Sequence, residues 1–368
     1  MPEPLRLIIS GGGSGGHLFP ALAIADEVRR RYPNASIHFV GARGKIEMDK
    51  VPPRQYPITG LWISGYNRRE WKANLSLPLK VVHSLAQAWR LLRRHQPHAV
   101  IGVGGFASLP IGWMAARMGY PLILQEQNAF PGLVNRKLGD HARLICAGFP
   151  GLERYFRADK IVVTGNPVRH DLLEPQGHAE EARSHFGLER HAPVILVLGG
   201  SSGARSINEG VLAALSKWLG EGYAVIWQTG LRYHAEMQDR AGASPGVHNL
   251  FITPFLDDMP MAYAAANVVI SRAGAISLSE LACQRKASIL VPSPHVADDH
   301  QTKNARELEQ YGAAIVILDH MVKEQLPQTA AQLLKSDHRQ KELSENIRSF
   351  CRSDAAGHIV DRLVGLLS

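Results

Sequence analysis

Cysteine is scarce in this sequence of 368 residues. The three cysteines, Cys146, Cys283 and Cys351, lie far apart, and no two of them form a C-x-x-C pair. This excludes a scaffold held together by many disulfide bonds and a zinc site built from cysteines, and it fits a reducing compartment. A secretory signal is also missing, because residues 1–10 carry an acid and two prolines around an apolar stretch only as long as a strand.

Long hydrophobic runs are almost absent as well. Residues 99–116 are uncharged and just reach the length of about 18 residues that a membrane span needs. Four glycines and a proline interrupt this stretch, so we expect a strand, a loop and a helix there. These features predict a soluble, cytoplasmic protein.

Charge is present in excess of one sign, but only in the first half. The chain has 41 Lys and Arg against 33 Asp and Glu, a net charge of +8. Residues 1–165 hold 22 basic and 10 acidic residues, and the remainder holds 19 and 23. This asymmetry favours an anionic partner for the first half, such as nucleic acid, an acidic lipid surface or a phosphorylated substrate, although a solvated basic face without a partner gives the same pattern.

Short apolar strands alternate with helices along the whole chain, and the pattern restarts after residue 190. Such alternation is typical of parallel sheets covered by helices on both faces, here in two tandem domains of the α/β class. We expect the boundary within residues 164–176, where prolines interrupt the helical pattern. The predicted strands are 5–10, 36–41, 99–105, 121–128, 143–148 and 161–166 in the first half, and 193–200, 223–230, 249–255, 266–271, 287–293 and 313–318 in the second.

Two glycine-rich turns, at residues 11–17 and 198–206, each follow a strand and open a helix. The unpaired N–H groups of such a turn and the helix dipole suit a diphosphate or another anion, although a turn needed only for packing looks the same. Neither turn ends in the G-K-[ST] of a P-loop. A dinucleotide site needs an acid at the end of the second strand, and none occurs before Glu47, which weakens an NAD-binding interpretation.

A third entry from loop to helix occurs at residues 271–280, SRAGAISLSE. Ser271 and Ser277 are candidate helix caps. Glu280, one turn further along, has a carboxylate that can accept two hydrogen bonds from a ribose diol, although taken alone it also fits an ordinary surface glutamate.

Eight motifs, in order along nearly the whole chain, resemble the MurG family, the peptidoglycan N-acetylglucosaminyltransferases that convert lipid I to lipid II. They are GGGSGGHLFPALAIA (11–25), GVGGFASLP (102–110), QEQNAFPGLVNR (125–136), GNPVR (165–169), GGSSGARSIN (199–208), FLDDM (255–259), SRAGAISLSE (271–280) and HQTKNA (300–305). The resemblance implies a GT-B fold, with two Rossmann-like domains facing each other across a cleft. It implies an acceptor- and membrane-facing domain at residues 1–165, joined by a returning helix at about 345–368, and a UDP-sugar-binding domain at 166–344.

By this resemblance the donor is UDP-N-acetylglucosamine, bound mainly by the second domain. Glu280 is expected to bind the uridine ribose, Leu256 to flank the uracil, and Gln301 to reach the sugar hydroxyls. Further donor contacts are expected from residues near the phosphates or just past the domain boundary: Arg169, Ser201, Ala275, Ile276, Ser277, Leu278 and Ser279.

The resemblance places the acceptor, lipid I, on the first domain. Its positions here are Ser14, Gly15, Gly16, His17, Glu126, Asn128 and Asn135. Transfer inverts the anomeric carbon, so a single displacement needs a base for the acceptor 4-hydroxyl and stabilisation of the departing UDP. His17 is the first candidate base, because an imidazole titrates near neutral pH. The alternative is that His17 only orients the substrate or caps the turn. Glu126 is the second candidate base.

No cofactor or metal is expected for this reaction. Glycine turns and helix N-termini can hold the diphosphate charge, and the sequence lacks an Asp-x-Asp motif. Residues 298–300, Asp-Asp-His, are the one candidate metal site, but they also fit a solvated loop.

Three residues depart from the family pattern. Gln125 occupies a position where histidine is common, which argues against a catalytic side chain there. Phe106 replaces a common tyrosine and loses its hydroxyl, whereas Ser14 replaces a threonine and keeps one.

Residues 68–94 combine seven basic residues and one acid with interleaved leucines and tryptophans. This composition suits contact with an anionic membrane surface, where each cation contributes about 1 kcal/mol. We therefore expect a peripheral protein on the cytoplasmic face of the plasma (inner) membrane. Val82, Leu85 and Trp89 are expected to pack inward, and no nucleic-acid-binding module is recognised.

Two other function classes remain open from the sequence. Another UDP-N-acetylglucosamine enzyme of GT-B fold, such as a 2-epimerase, would share the donor contacts without needing a basic and apolar surface. A non-catalytic nucleotide-binding module related to oxidoreductases would bind NAD in preference to UDP.

Overall fold

The computed structural model describes residues 4–13, 15–65, 74–168, 170–173, 178–200, 202–242, 244, 246–296 and 299–368. Contacts divide the chain into two units. Unit 1 contains Met1–Arg169 together with Arg352–Ser368, and unit 2 contains His170–Cys351.

Unit 1 contains a seven-stranded parallel sheet in the order β3-β2-β1-β4-β5-β6-β7. The central 3-2-1-4-5 order is that of a Rossmann fold. The strands are β1 Arg6–Ser10, β2 Ser36–Ala42, β3 Ile58–Leu61, β4 Ala99–Gly102, β5 Leu122–Glu126, β6 Leu144–Ala147 and β7 Ile161–Val163. Six of them lie where the sequence predicts a strand, and β3 is the strand that the sequence pattern missed.

Helices cover both faces of this sheet, which explains why its strands are apolar on both sides. They are α1 Gly15–Arg31, α2 Ile46–Lys50, α3 Leu77–His95, α4 Ser108–Arg117, α5 Leu133–Leu138 and, from the end of the chain, α14 Ala355–Leu367. One buried cluster joins the sheet to α1 and α14, and another joins it to α3 and α4.

Unit 2 contains a six-stranded parallel sheet in the order β10-β9-β8-β11-β12-β13. Its strands are β8 Val194–Leu198, β9 Ala224–Gln228, β10 Leu250–Thr253, β11 Val268–Ser271, β12 Ala287–Leu290 and β13 Ile315–Val316. Its helices are α6 Ala179–His185, α7 Arg205–Gly220, α8 His234–Ala241, α9 Met259–Ala265, α10 Ala275–Cys283, α11 His300–Gln310, α12 Val322–Leu334 and α13 Asp337–Arg348. The two predicted α/β sheets are therefore confirmed.

The end of the chain forms two helices where the sequence predicts one at about 345–368. Helix α13 belongs to unit 2, whereas α14 packs against α1 in unit 1. Ile359, Val360 and Leu363 of α14 are buried, and each such side chain contributes about 1.5–3 kcal/mol. An ion pair of 2.5 Å between Arg31 Nη1 and Asp361 Oδ1 adds to the contact between the two helices.

One disulfide bond joins Cys283, at the end of α10, to Cys351, with a Cα–Cα distance of 4.8 Å. The scarcity of cysteine did not predict this bridge. The two residues are 68 positions apart, and only the packing of α10 against α13 brings them together. Cys146 is a buried free thiol.

Residues 99–116 form β4, a loop and most of α4, as the sequence predicts. Across the described ranges, none of the helices is both long enough and apolar enough to span a bilayer.

Candidate active site

Several predicted site residues lie outside the described residues. Ser14, Arg169 and Ser201 are among them, as is Asp298 of the candidate metal site. Their expected roles stay predictions.

The glycine-rich turn of unit 1 is held by a buried carboxylate. Glu47 is fully buried (0% exposed); its Oε2 accepts a hydrogen bond from Gly13 N (3.0 Å) and its Oε1 accepts one from Ala42 N (2.9 Å). A Cβ at Gly12 would lie 2.2 Å from the same carboxylate, so only glycine fits at that position. The first acid after β2 therefore fastens the turn to the sheet and is not placed as an exposed ribose ligand.

Glycines after β4 allow His17 to pack close to the backbone. Gly105 has φ +79°, and a Cβ there would lie 2.1 Å from Gly12 O and 3.2 Å from the His17 ring. The GVGGF motif thus forms the floor under the first turn of α1, where Gly15, Gly16 and His17 lie.

Hydrogen bonds to His17 select one form of its ring. Nδ1 lies 3.0 Å from Val103 O and 3.2 Å from Gln127 Oε1. The Gln127 amide nitrogen donates to Val103 O (2.9 Å) and to the Gln125 side-chain and backbone oxygens, which fixes its oxygen toward His17. Both neighbours of Nδ1 are acceptors, so Nδ1 carries the proton and the neutral ring has its basic lone pair on Nε2.

Glu126, at the end of β5, organises the loop that follows it. Its carboxylate accepts hydrogen bonds from Asn128 N (3.0 Å), Asn128 Nδ2 (3.2 Å), Gly132 N (3.1 Å) and Asn135 Nδ2 (2.9 Å). These four hydrogen bonds engage both carboxylate oxygens and fix Asn128 near the strand end.

Buried amides lie behind this loop. Asn135 is buried and donates to Gln125 O (3.1 Å) as well as to Glu126, while its Oδ1 is a buried acceptor that has no donor among the residues the structure describes. Gln125 is also buried and donates to Asn166 Oδ1 (3.1 Å). The structure therefore gives Gln125 a place in a packed amide network.

Phe106 packs against the glycine-rich turn. A Cβ at Gly13 would lie 2.9 Å from its ring. The ring fills this space without the hydroxyl that a tyrosine would bring.

In unit 2, helix α10 begins at Ala275 with Gly274 as its N-cap residue, and among the described residues no side chain caps it. The prediction that Ser271 or Ser277 caps this helix is wrong. Ser271 ends β11 and its hydroxyl bonds to Arg272 O, and Ser277 lies inside the first turn. An N-terminus without a side-chain cap leaves its N–H groups for a ligand anion.

Ile276 and Leu278 lie in the first turn of α10, and Glu280 lies beyond that turn on the same helix. Its Oε2 accepts a hydrogen bond from the Tyr263 hydroxyl at 3.2 Å. The Ser279 hydroxyl donates to Ala275 O, which directs it along the helix.

The segment around Leu256 is tied to the second glycine-rich turn. Leu256 N donates to Gln228 Oε1 (3.1 Å), and Gln228 Nε2 donates to Gly200 O (2.9 Å). Both segments therefore lie at the C-terminal end of β9, the edge at which parallel sheets of this kind bind ligands.

Gln301 lies in the first turn of α11, and its Oε1 accepts a hydrogen bond from Ser293 N (2.8 Å). Asp299, just before α11, accepts from Thr302 Oγ1 (2.6 Å). Among the residues that the structure describes, no group of three or more His, Cys, Asp or Glu side chains could hold a metal ion.

Helix α3 exposes an apolar and basic face. Val82 is 66% exposed and Trp89 is 44% exposed, so the expectation that these two side chains pack inward is wrong. Ser84, Ala88 and Leu92 occupy the buried side of the helix instead. The exposed face, called the α3 face below, contains Leu79, Val82, Trp89, Arg90, Arg93 and Arg94.

Three residues of this site escaped the sequence analysis in their structural roles. Glu47 offered a signal as an acid five residues after β2, and Gln127 offered one by lying inside the QEQN motif. Tyr263 gave none, because an aromatic residue in a short helix is typical of any core.

Comparison with known proteins identifies the family of this chain. The glycosyltransferase family 28 N-terminal domain matches residues 7–146, and the C-terminal domain of that family matches residues 194–359. A UDP-N-acetylglucosamine–N-acetylmuramyl-(pentapeptide) pyrophosphoryl-undecaprenol N-acetylglucosamine transferase from Parabacteroides distasonis is 44% identical over 98% of each chain.

Solved structures show the same architecture. The crystal structure of Acinetobacter baumannii MurG matches with a TM-score of 0.76 and 28% identity, over 97% of this chain and 99% of that chain. A UDP-GlcNAc 2-epimerase from Neisseria meningitidis matches with a TM-score of 0.68 over 98% and 99% of the two chains, but at 14% identity it shares only the fold. The chain belongs to glycosyltransferase family 28 and, within it, to the MurG family of N-acetylglucosaminyltransferases, with the GT-B architecture of two Rossmann-like domains.

Proposed function

We propose that this protein transfers N-acetylglucosamine from UDP-N-acetylglucosamine to the 4-hydroxyl of the muramoyl sugar of lipid I, which gives lipid II for peptidoglycan synthesis. The observation that carries this proposal is the 44% identity, over 98% of each chain, to an N-acetylglucosamine transferase that acts on an N-acetylmuramyl-(pentapeptide) pyrophosphoryl-undecaprenol. Unit 1 binds the acceptor and unit 2 binds the donor, so the predicted domains 1–165 and 166–344 take these two roles.

His17 is the general base of this proposal. The acceptor oxygen forms a bond to the anomeric carbon, the bond from that carbon to UDP breaks, and the hydroxyl proton passes to Nε2 of His17. The hydrogen bonds at Nδ1 support this role, because they keep the lone pair on Nε2. Glu126 has a different role, since its carboxylate accepts from three donors of the loop after β5 and from Asn135 on α5.

The donor diphosphate lies against backbone N–H groups of unit 2. The N-terminus of α10, at Ala275, Ile276 and Ser277, supplies donors and a positive dipole end that stabilise the leaving UDP. Glu280 binds the ribose, and Gln301 reaches the sugar hydroxyls.

Steady-state kinetics with radiolabelled UDP-N-acetylglucosamine and a short-chain lipid I analogue test the proposal. We expect the wild type to transfer the sugar. His17→Ala should lower kcat by about 10²–10⁴-fold and keep the donor KM within about twofold of the wild-type value. His141→Ala, an exposed histidine of the same unit, is the matched control and retains full activity. An unchanged kcat in His17→Ala would show that His17 is not the general base. Formation of UDP-N-acetylmannosamine without sugar transfer would show that the protein is a 2-epimerase.

We also propose that the α3 face binds the cytoplasmic surface of the inner membrane, where the polyprenyl tail of lipid I is anchored. Exposed apolar side chains and Trp89 suit the interface, and the Arg93 guanidinium lies over the Trp89 ring at 5.3 Å. The last turn of α3 adds further basic residues, which attract anionic lipid headgroups.

Cosedimentation with vesicles of phosphatidylglycerol and phosphatidylethanolamine tests this surface. Replacing Arg90, Arg93 and Arg94 by Gln is expected to weaken binding by about 100-fold, from about 1 kcal/mol for each cation. Leu231→Gln, at an exposed apolar residue of unit 2, is the control and leaves binding unchanged. Equal binding by the triple variant and the wild type would exclude the α3 face.

A further inference from the structure

We propose that Tyr263 is a positioning residue for the donor and that its hydroxyl orients the Glu280 carboxylate toward the two ribose hydroxyls. The hydroxyl lies 3.2 Å from Glu280 Oε2. This inference deepens the proposed function and rests on its assignment of Glu280 to the ribose.

Burial makes the Tyr263 hydroxyl informative. The Tyr263 side chain is completely buried, and a phenylalanine would fill the same space without a polar group. A buried hydroxyl costs free energy unless it finds a partner, and one partner here is the carboxylate of Glu280, whose helix α10 begins after the C-terminal end of β11. The tyrosine is thus suited to serving Glu280 as well as to filling the core.

The backbone around Tyr263 is held firmly. Asp258 caps α9 by accepting a hydrogen bond from Met261 N (3.2 Å), and Ala262 and Ala265 are buried on either side of the tyrosine. Because α9 packs against α6 and β8, the ring has a fixed position from which to direct Glu280.

The hydrogen bond from Tyr263 takes only one acceptor position of the Glu280 carboxylate. An ionised carboxylate has about four acceptor positions on its two oxygens, and the phenol uses one of them on Oε2. The bond restrains rotation of the carboxylate plane, so that the two carboxylate oxygens point in set directions. Pre-orientation of this kind strengthens binding of the ribose without contact between Tyr263 and the ligand.

Calorimetric titration separates positioning from a merely structural role. The two probes are UDP and 2′,3′-dideoxyuridine diphosphate, which lacks both ribose hydroxyls. The variants are Tyr263→Phe and, as the matched control, Tyr223→Phe. Tyr223 is another largely buried tyrosine of unit 2 whose hydroxyl interacts with a glutamate, Glu221, but it lies before β9 at the opposite edge of the sheet.

We expect Tyr263→Phe to weaken UDP binding by about tenfold, in the range for loss of a hydrogen bond to a charged group. Binding of the dideoxy nucleotide should change by less than twofold, and Tyr223→Phe should change neither. In transfer assays, Tyr263→Phe should raise the donor KM by about tenfold with kcat within twofold. In a Glu280→Gln background, Tyr263→Phe should have no further effect on UDP binding.

If Tyr263→Phe weakened the binding of UDP and of the dideoxy nucleotide equally, Tyr263 would have a merely structural role and the inference would be overturned. Unchanged UDP binding in Tyr263→Phe would also overturn it. If the wild type itself does not distinguish UDP from the dideoxy nucleotide, the ribose assignment of Glu280 in the proposed function fails first.

Discussion

Replacing Glu47 tests how the glycine-rich turn of unit 1 is held. The fully buried carboxylate accepts hydrogen bonds from Gly13 N and Ala42 N. Each hydrogen bond to a charged group contributes about 1.5–3 kcal/mol. Glu47→Ala removes both and leaves two N–H groups without that partner, so we expect the free energy of unfolding of unit 1 to fall by about 3–5 kcal/mol.

Glu47→Gln is the sharper variant, because it keeps the size of the side chain. Its amide nitrogen must face one of the two backbone N–H groups, so one hydrogen bond becomes a donor–donor contact. We expect a loss of about 1–3 kcal/mol and faster amide exchange at Gly13. Transfer activity should fall with it, since His17 follows on the same turn.

Hydrogen-exchange mass spectrometry in a urea series measures both effects, because it separates unit 1 from unit 2. Glu153→Gln, at an exposed acid of unit 1, is the control and should stay within about 0.5 kcal/mol of the wild type. If Glu47→Gln matched this control in stability and in protection of residues 11–17, the buried carboxylate would not be what holds the turn.

Two further predictions concern unit 2. The Cys283–Cys351 bridge closes a span of 68 residues, so in oxidising buffer Cys283→Ser should lower the free energy of unfolding by about 2–4 kcal/mol. Dithiothreitol should lower the free energy of unfolding of the wild type to that of the variant. Two reactive thiols in the oxidised wild type would contradict the bridge. Burial and, to a smaller extent, the nearby charge of Arg183 together lower the pKa of Lys286 to about 8 from its ordinary 10.5. Between these two pH values the unfolded state binds more protons, so wild-type stability rises with pH. Lys286→Met should therefore be more stable than the wild type at pH 7. The expected gain is on the order of 3 kcal/mol, reduced by the contribution of the lost hydrogen bond from Lys286 Nζ to Ala266 O. Denaturant titrations should show this difference in the free energy of unfolding disappearing by pH 10.5. A gap that does not change with pH would contradict this.

The alternation of strands and helices was predictable because it depends on local apolar runs and glycine turns. Strand β3 was missed because its four residues include Gly60, and its place at the sheet edge depends on pairing with β2. The disulfide bond was missed for a related reason, since helix packing brings its cysteines together.

The orientation of α3 shows another limit of sequence patterns. Val82 and Trp89 are at helical spacing with residues that are buried, so apolar character alone assigns them to the core. The helix instead buries the small residues Ser84 and Ala88. Which apolar stripe faces the sheet depends on how closely the helix approaches it, and this is a property of tertiary packing.

Motifs predicted which residues gather at the candidate site, but not how they are supported. His17, Glu126 and Asn128 lie at the strand ends of unit 1, as expected for a parallel sheet. The sequence did not show that Gln127 and Val103 select the ring form of His17. Such contacts join residues about 90 to 110 positions apart, beyond the reach of spacing arguments.

The stereochemistry of the product tests the central claim most directly. Purified full-length protein, UDP-N-acetylglucosamine and a short-chain lipid I analogue would be incubated together, and the new linkage identified by NMR. A single displacement assisted by His17 predicts one β-linked N-acetylglucosamine on the muramoyl 4-hydroxyl. An α-linked product would contradict that mechanism, and recovery of the unchanged acceptor with a C2-epimerised nucleotide sugar would contradict the transferase itself.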